Sequence, residues 1–412
     1  MAPALGRNRD FALLWTGQAV SMLGSRVSTL AYPFLILSLG YSPAAAGVVG
    51  FIATLPYLLF QLPAGVWVDR VDRKRLMIRC DLVRGGALAI LAVSVAVGWA
   101  EVWQIAVVAF LEGAMFVVFT AAERSAIANV VPAEQLTDAF SLNEARTRAA
   151  GMLGAPLGGF LFGLGRVVPF AFDAVSYLAS VVTLSLIKAE FQRAPDARED
   201  RHFWRELTEG FSWLREHRFF LDSTVSVSLG NLVIRANQLL IIVLATRQGI
   251  APALVGIMLA TAGAGGVLGS MLAPRFERAL SARDVVLGST VAWAALFPLF
   301  TGTTNPFVFG FAWGAAAFVG AVWNVVLGAY QLSVLSDELR GRVSSIGNLF
   351  AYGSFAAGSL LSGALISTTG TDGTTWILRI AFVTVAVATI CDPHIRGHQR
   401  QAPLEGCAAR AM

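Results

Sequence analysis

A carboxylate, two arginines and a set of amides lie inside stretches of this sequence that are otherwise apolar. Glu112 sits within 101–122 and Arg26 within 11–39. Asn231, Arg235, Asn237 and Gln238 fall in 219–246, and Asn324, Tyr330 and Gln331 in 306–334. Polar side chains in such runs are costly unless they serve a site or one another. A carboxyl group in apolar surroundings exists protonated, or ionised beside an arginine, so Glu112 is a candidate proton carrier. It is also readable as half of a static ion pair with Arg26. At 1.5 Å per residue, Arg26 and Glu112 lie about 22 Å and about 16 Å from the starts of their segments, which are at opposite membrane faces. Arg26 and Arg235 could grip an anionic group, or snorkel towards the surface. His202, His217, His394 and His398 all lie outside the apolar runs, and no HExxH occurs. The only lysines, Lys74 and Lys188, follow no phosphate-loop glycine pattern. Cys80, Cys391 and Cys407 have no framework spacing. Enzyme chemistry is therefore not expected, nor a cofactor or metal.

The elements that must carry these residues follow from composition. Of 412 residues, 56% are hydrophobic and 14% charged, with a mean hydropathy of +0.66, against about 25% charged in a soluble domain. That balance excludes a soluble enzyme, a disordered scaffold and a nucleic-acid-binding domain, and leaves a polytopic membrane protein. A hydrocarbon core of about 30 Å takes about 20 apolar residues per helix. Twelve segments qualify: 11–39, 43–68, 76–98, 101–122, 142–164, 168–188, 219–246, 252–274, 283–302, 306–334, 343–367 and 375–391. Arginines gather in alternate loops, at Arg7 and Arg9, Arg70 to Arg75, Arg146 and Arg148, Arg193 to Arg218, Arg275 to Arg283, and Arg340 and Arg342. The opposite loops offer Arg166 and Arg247. By the positive-inside rule both termini are cytoplasmic, so the net charge of +5 records topology and no nucleic-acid partner is expected.

The stretch 189–218 carries Phe203, Trp204, Leu207, Phe211 and Leu214 at three- and four-residue spacing, which predicts an amphipathic helix on the membrane surface. It separates six spans from six. Residues 1–188 form one expected bundle, 189–218 a linker, 219–391 a second bundle and 392–412 a polar, disordered cytoplasmic tail. The halves are related. Asp69-Arg70-Val71-Asp72-Arg73 recurs in degenerate form at Pro274-Arg275-Phe276-Glu277-Arg278, Gly154 and Gly159 recur at Gly358 and Gly363, and Arg26 at Arg235. These offsets, 204 to 209 positions, indicate a duplicated six-helix unit.

Two motifs carry a family resemblance. Gly65-Val-Trp-Val-Asp69-Arg70-Val-Asp72-Arg73-Lys74-Arg75 resembles the loop between helices two and three of the major facilitator superfamily, with Trp67 and Asp72 departing from the usual Leu and Gly. The resemblance implies a conformational latch made by Gly65, Asp69, Arg70, Arg73 and Lys74, with Gly65 permitting close helix contact. Gly151-Met-Leu-Gly154-Ala155-Pro156-Leu-Gly158-Gly159 resembles the helix-five motif of the superfamily's exporters, with Gly151, Pro156 and Gly159 as its key positions. Ordinary close packing of small residues is the alternative reading. Arg9-Asp10-Phe11 to Gln18 and Phe172-Asp173-Ala-Val-Ser176-Tyr177 look like the enterobactin-exporter and macrolide-efflux branch.

The resemblance implies an all-α fold of twelve transmembrane helices in two pseudo-symmetric six-helix bundles, with helices one, four, seven and ten lining the cavity. Glu112, Arg26 and the polar residues of helices seven and ten all fall on those four, whereas Asp173, on helix six, reads as structural. The expected function is secondary active export of a small amphiphilic compound, such as a drug, siderophore or natural product, by proton antiport. Import of an organic anion and a non-transporting sensor or scaffold are the alternatives. Expected partners are a small-molecule substrate, protons and the lipid bilayer of a bacterial inner membrane, with the protein a monomer.

Overall fold

The computed structural model describes residues 5, 8–61, 63–68, 70–192, 203–335 and 337–398. Among them the long elements are helices: α1 (Arg9–Ser38), α2 (Pro43–Phe60), α3 (Pro63–Val68), α4 (Arg73–Ala96), α5 (Val102–Val130), α6 (Leu136–Leu164), α7 (Val168–Leu186), α8 (Phe203–Glu216), α9 (Arg218–Arg247), α10 (Pro252–Ala279), α11 (Ala282–Phe300), α12 (Pro306–Val334), α13 (Asp337–Cys391) and α14 (Pro393–Arg396). Their starts are written in the sequence. Asn8 caps α1, Ser42 caps α2 ahead of Pro43, and Asn305 caps α12 ahead of Pro306, each side chain accepting from backbone N–H groups of the first turn. Asp72, which departs from the family pattern, caps α4 by accepting from the Arg75 N–H at 2.9 Å.

Nine described helices are long and apolar enough to cross a membrane unaided. The count reaches twelve through three exceptions. Helices α4 and α6 carry too many charges to stand out by hydropathy, Arg73 to Arg84 in one and Asp138 to Arg148 in the other. Helix α13 is two spans joined at Gly370, whose φ of 71° only glycine adopts without strain. Spans eleven and twelve are thus one helical run, sharply turned. The second expected span divides into α2 and the short α3.

The chain forms two compact units, Met1–Glu199 with Ala245–Ala260, and Asp200–Leu244 with Thr261–Met412. In the first, α7 lies against both α1 and α4, and α5 against α2 and α4. The start of α10 joins this unit because small residues bring its backbone against α6. A Cβ on Gly159 would collide with the Pro252 carbonyl, and one on Gly256 with the Ala155 carbonyl. In the second, α11 lies against α12 and α13.

The expected disordered tail needs correction. Residues 392–398 are ordered on the second unit: Asp392 caps α14, Ile395 is fully buried, and His398 stacks on Phe219 at 3.9 Å and bonds the Tyr330 hydroxyl at 2.8 Å. Burial and the charge of Arg283 hold His398 below the usual imidazole range. Leu214 of α8 is buried in the same cluster, near Phe219 and Phe220. The side chains of Phe203, Trp204 and Leu207, and residues 399–412, lie outside the described set.

Candidate functional site

Glu112 lies buried at the centre of a polar network inside the first unit. The Tyr177 hydroxyl donates to Oε1 at 3.0 Å and the Tyr32 hydroxyl donates to Oε2. Tyr177 contacts the Ser25 hydroxyl at 2.8 Å, and Arg84 Nη2 donates to Ser25 at 3.0 Å. Arg84 Nη1 reaches Asp81 Oδ1 at 3.3 Å, with the guanidinium centred 4.1 Å over the Tyr177 ring. Ser180 donates to Asp81 Oδ2 at 2.6 Å and receives the Gln18 amide at 2.7 Å. Asp173, fully buried, accepts from Ser176 at 3.0 Å. Four helices supply these groups: α1, α4, α5 and α7. From Gln18 to Tyr32 the chain of contacts follows α1 for about 21 Å. A carboxyl group held by two phenols, within a hydrogen-bonded column of that length, can take up, hold and release a proton without leaving the bundle.

The pairing of Glu112 with Arg26 is not what the structure shows. Arg26 is exposed, and its Cβ side faces Gly154 of α6. The cation nearest the carboxylate network is Arg84, three residues after Asp81 in α4. Both escape a reading that confines the site to membrane spans one, four, seven and ten, because α4 is the third span. The available signal is an Asp and an Arg at i, i+3 within the third expected span, 76–98, which also carries Arg79. Glu123, beside Arg124 in sequence, instead forms a buried 2.8 Å ion pair with Arg146, tying α5 to α6.

In the second unit the candidates disperse. Arg235 donates to Gln238 Oε1 at 2.6 Å and to Ser359 at 3.3 Å. Asn237 is fully buried with neither amide atom bonded among the described residues. Asn324 is exposed and Gln331 half-buried. Tyr330 belongs to the aromatic cluster that receives His398, stacking on Phe220 at 5.4 Å. Asn231 lines a separate small cavity of about 30 Å³, walled by Trp293, Trp323 and Phe382.

The loop and helix-five motifs are partly placed. Asp69 lies outside the described residues. Arg70 is exposed, and a Cβ on Gly65 would meet open space, so Gly65 makes no close helix contact among them. Arg73 donates to the Phe191 carbonyl at 3.3 Å, and Lys74 to the carbonyls of Ile187 at 2.7 Å and Ser185 at 3.4 Å. Lys74 thus caps the carboxyl end of α7, where the helix dipole favours positive charge, while Arg73 holds the segment that follows it. Gly151 faces open space, whereas Gly154 abuts Arg26, Gly158 abuts Val27 and Gly159 abuts Pro252. Pro156 stands within the helix between them. Gly159→Val is expected to lower membrane abundance severely, because rigid backbone leaves no room for a side chain. Gly151→Val should be neutral, and immunoblotting of membranes compares them.

This architecture is that of a multi-pass membrane protein, and known proteins share it. A solved structure of a point mutant of the nucleoside transporter NupG superposes with a TM-score of 0.75 over 93% of this chain and 99% of that one, at 13% identity. A bacterial homologue of the human lysosomal transporter Spinster, inward-facing and unoccupied, gives 0.69 over 93% and 95%, at 16% identity. The model of the MFS_3 family, the transmembrane secretion effectors, matches residues 1–402. The chain belongs to this family, within the major facilitator superfamily, whose members are transporters and not enzymes. Multidrug efflux pump Tap of Mycolicibacterium fortuitum is 25% identical over 90% of this chain and 93% of its own length. Macrolide efflux protein A of Streptococcus pyogenes is 25% identical over 50% of this chain, and that match spans about half, 52%, of the relative's length.

Proposed function

We propose that this protein is a proton-driven exporter of a small amphiphilic compound in a bacterial inner membrane, acting as a monomer. The observation that carries the reading is the setting of Glu112, a buried carboxyl group held by Tyr32 and Tyr177. An antiporter needs a group that is charged in one stage of the cycle and neutral in another, and substrate arrival can displace its proton. Export, as against import, is supported by the relatives named for macrolide and multidrug efflux. Tyr32, Tyr177 and the Ser25 hydroxyl supply the groups that pass a proton to and from the carboxyl group. Arg84, which keeps its proton, and Asp81 set the charge beside them, and Arg235, Gln238, Asn231 and Asn237 offer polar contacts to substrate. The loop around Asp69, with Arg70, Arg73 and Lys74, serves as the latch between conformations, and the two six-helix bundles at 1–188 and 219–391 are the moving parts.

Everted membrane vesicles energised by a proton gradient should accumulate a radiolabelled macrolide or the dye Nile red. A protonophore should stop the uptake. Absence of both accumulation and compound-dependent proton movement would overturn the reading. The orientation has its own test in intact cells. Tyr41→Cys, Arg166→Cys and Thr304→Cys should react with an impermeant maleimide, while Asp72→Cys, Asp200→Cys and Arg340→Cys should not; the reverse pattern places the termini outside.

A further inference from the structure

Once the buried charges of the first unit are matched, Glu112 and Asp173 are left without a cation. Three carboxyl groups, of Asp81, Glu112 and Asp173, and the guanidinium of Arg84 lie together in its interior, none more than 9% exposed. Arg84 is matched by Asp81 at 3.3 Å. The charged groups on the surrounding helices are paired elsewhere or turned away. Glu123 holds Arg146 at 2.8 Å, Glu144 holds Arg148 at the surface, and Arg26, Arg79 and Arg124 are exposed. Helix α2 has no acidic or basic residue. Asp173 also lies within hydrogen-bond reach of Glu112. Two carboxylates buried side by side with no positive charge of their own are strongly unfavourable. Carboxyl groups placed so closely keep a proton between them instead.

The donors around the pair say where that proton sits. Glu112 is surrounded as an ionised acceptor, since the phenols of Tyr177 and Tyr32 donate to its two oxygens, one each. Asp173 is surrounded differently. Its Oδ1 accepts from the Ser176 hydroxyl at 3.0 Å, whereas its buried Oδ2 meets no donor among the described residues. An ionised oxygen left bare in such a place is costly. A protonated one needs no donor, because it is a donor itself. Ser28, fully buried within reach of the Asp173 carboxyl, has a hydroxyl that makes no hydrogen bond among the described residues. It can turn to Asp173 once the proton has left. Packing closes over the pair. A Cβ on Gly24 of α1 would strike Asp173 Oδ1 and Ser176 Oγ, and the neighbouring Phe170 and Tyr177 are fully buried.

We propose that Asp173 and Glu112 hold one proton between them, seated on Asp173 Oδ2 and donated to the Glu112 carboxylate, so that the proton site is a two-carboxyl pair and Asp173 a working member of it. Transfer within the pair breaks the O–H bond at Asp173 and makes one at Glu112, leaving the charge of the pair unchanged. Release from Glu112 leaves both groups ionised, with Ser176 and Ser28 as donors to one and the two phenols as donors to the other. The use of this proton to drive efflux rests on the exporter reading, whereas the sharing itself does not.

Infrared spectroscopy of the full-length protein in nanodiscs at neutral pH reads the proton directly, through the C=O stretch of a protonated carboxyl group. Aspartate or glutamate isotope-labelled at the side-chain carboxyl carbon assigns it. The expected band moves with labelled aspartate and disappears in Asp173→Asn. A band that follows labelled glutamate instead, or one that persists in Asp173→Asn, would overturn the pair, as would the absence of any such band. Asparagine can accept from Ser176 and donate to Glu112, so the variant should melt near the wild-type temperature. If it does not fold, Glu112→Gln decides. The aspartate band should then shift, because its acceptor has become a neutral amide, and an unmoved band refutes the sharing. Transport in reconstituted vesicles separates the two claims. Asp173→Asn should lose uphill accumulation of Nile red while counterflow continues. A purely structural Asp173 predicts that the isosteric amide transports like wild type, and that result would overturn its working role. The aspartate band in a protein that moves no compound would leave the pair standing and defeat the exporter reading.

Discussion

Glu112→Gln is expected to abolish uphill efflux while downhill exchange continues, with its pH dependence flattened. The side chain keeps its shape, and its amide oxygen still accepts from one of the two phenols. The other phenol can turn to accept from the new NH₂ group. What is lost is the ability to alternate between charged and neutral forms. A static structural pair would behave differently, because removing one charge would strand the other in the bundle and empty the membrane of protein. The geometry argues against that outcome. The nearby guanidinium of Arg84 already has Asp81 at 3.3 Å and Ser25 at 3.0 Å, so it does not depend on Glu112 for a partner. Gradient-driven accumulation and counterflow, measured in the same reconstituted vesicles, distinguish the two. Surviving uphill transport would remove Glu112 from the mechanism.

The spans were legible because a core of about 30 Å imposes a length that no loop matches, and the turns because Pro, Ser and Asn stand where helices must begin. Glu112 was legible for a similar reason, as a carboxylate in an apolar run. Its surroundings were not. Depth along a helix can be counted from sequence, but the face a residue presents depends on which neighbour the helix packs against. Ser25 and Arg26 are adjacent, yet successive helical residues point about 100° apart. Ser25 enters the network with Tyr177, whereas Arg26 turns to α6 and Gly154. Depth alone therefore makes Arg26 look like the partner of Glu112, and only packing shows that Arg84 stands there. Tyr330 misleads in the same way, its hydroxyl being taken up by His398. The ordered piece of tail carries too short a pattern to register. Ile395 and His398 are single apolar and aromatic residues among polar ones, and they matter only because Phe219 and Tyr330 offer them a surface.

Arg84→Met should cost the fold far more than any change at Arg26. The guanidinium is 3% exposed and serves Asp81, Ser25 and the face of Tyr177 together. Methionine fills much of the same volume and supplies none of those interactions. Asp81, fully buried, would then keep only the Ser180 hydroxyl at 2.6 Å. Breaking a buried pair from one side costs about 3–5 kcal/mol, enough to consume a large part of a typical domain's stability. Membrane abundance should fall sharply, and the melting temperature of purified protein with it. Arg26→Met, at an exposed position, should leave both near wild type. The decisive comparison is the double change Arg84→Met with Asp81→Asn, which removes both charges at once. A neutral amide can still accept from Ser180, so stability should recover substantially. If instead Arg84→Met alone melts like wild type, Arg84 is not the counter-charge that lets this bundle bury its carboxylates, and the electrostatic account of the network fails with it.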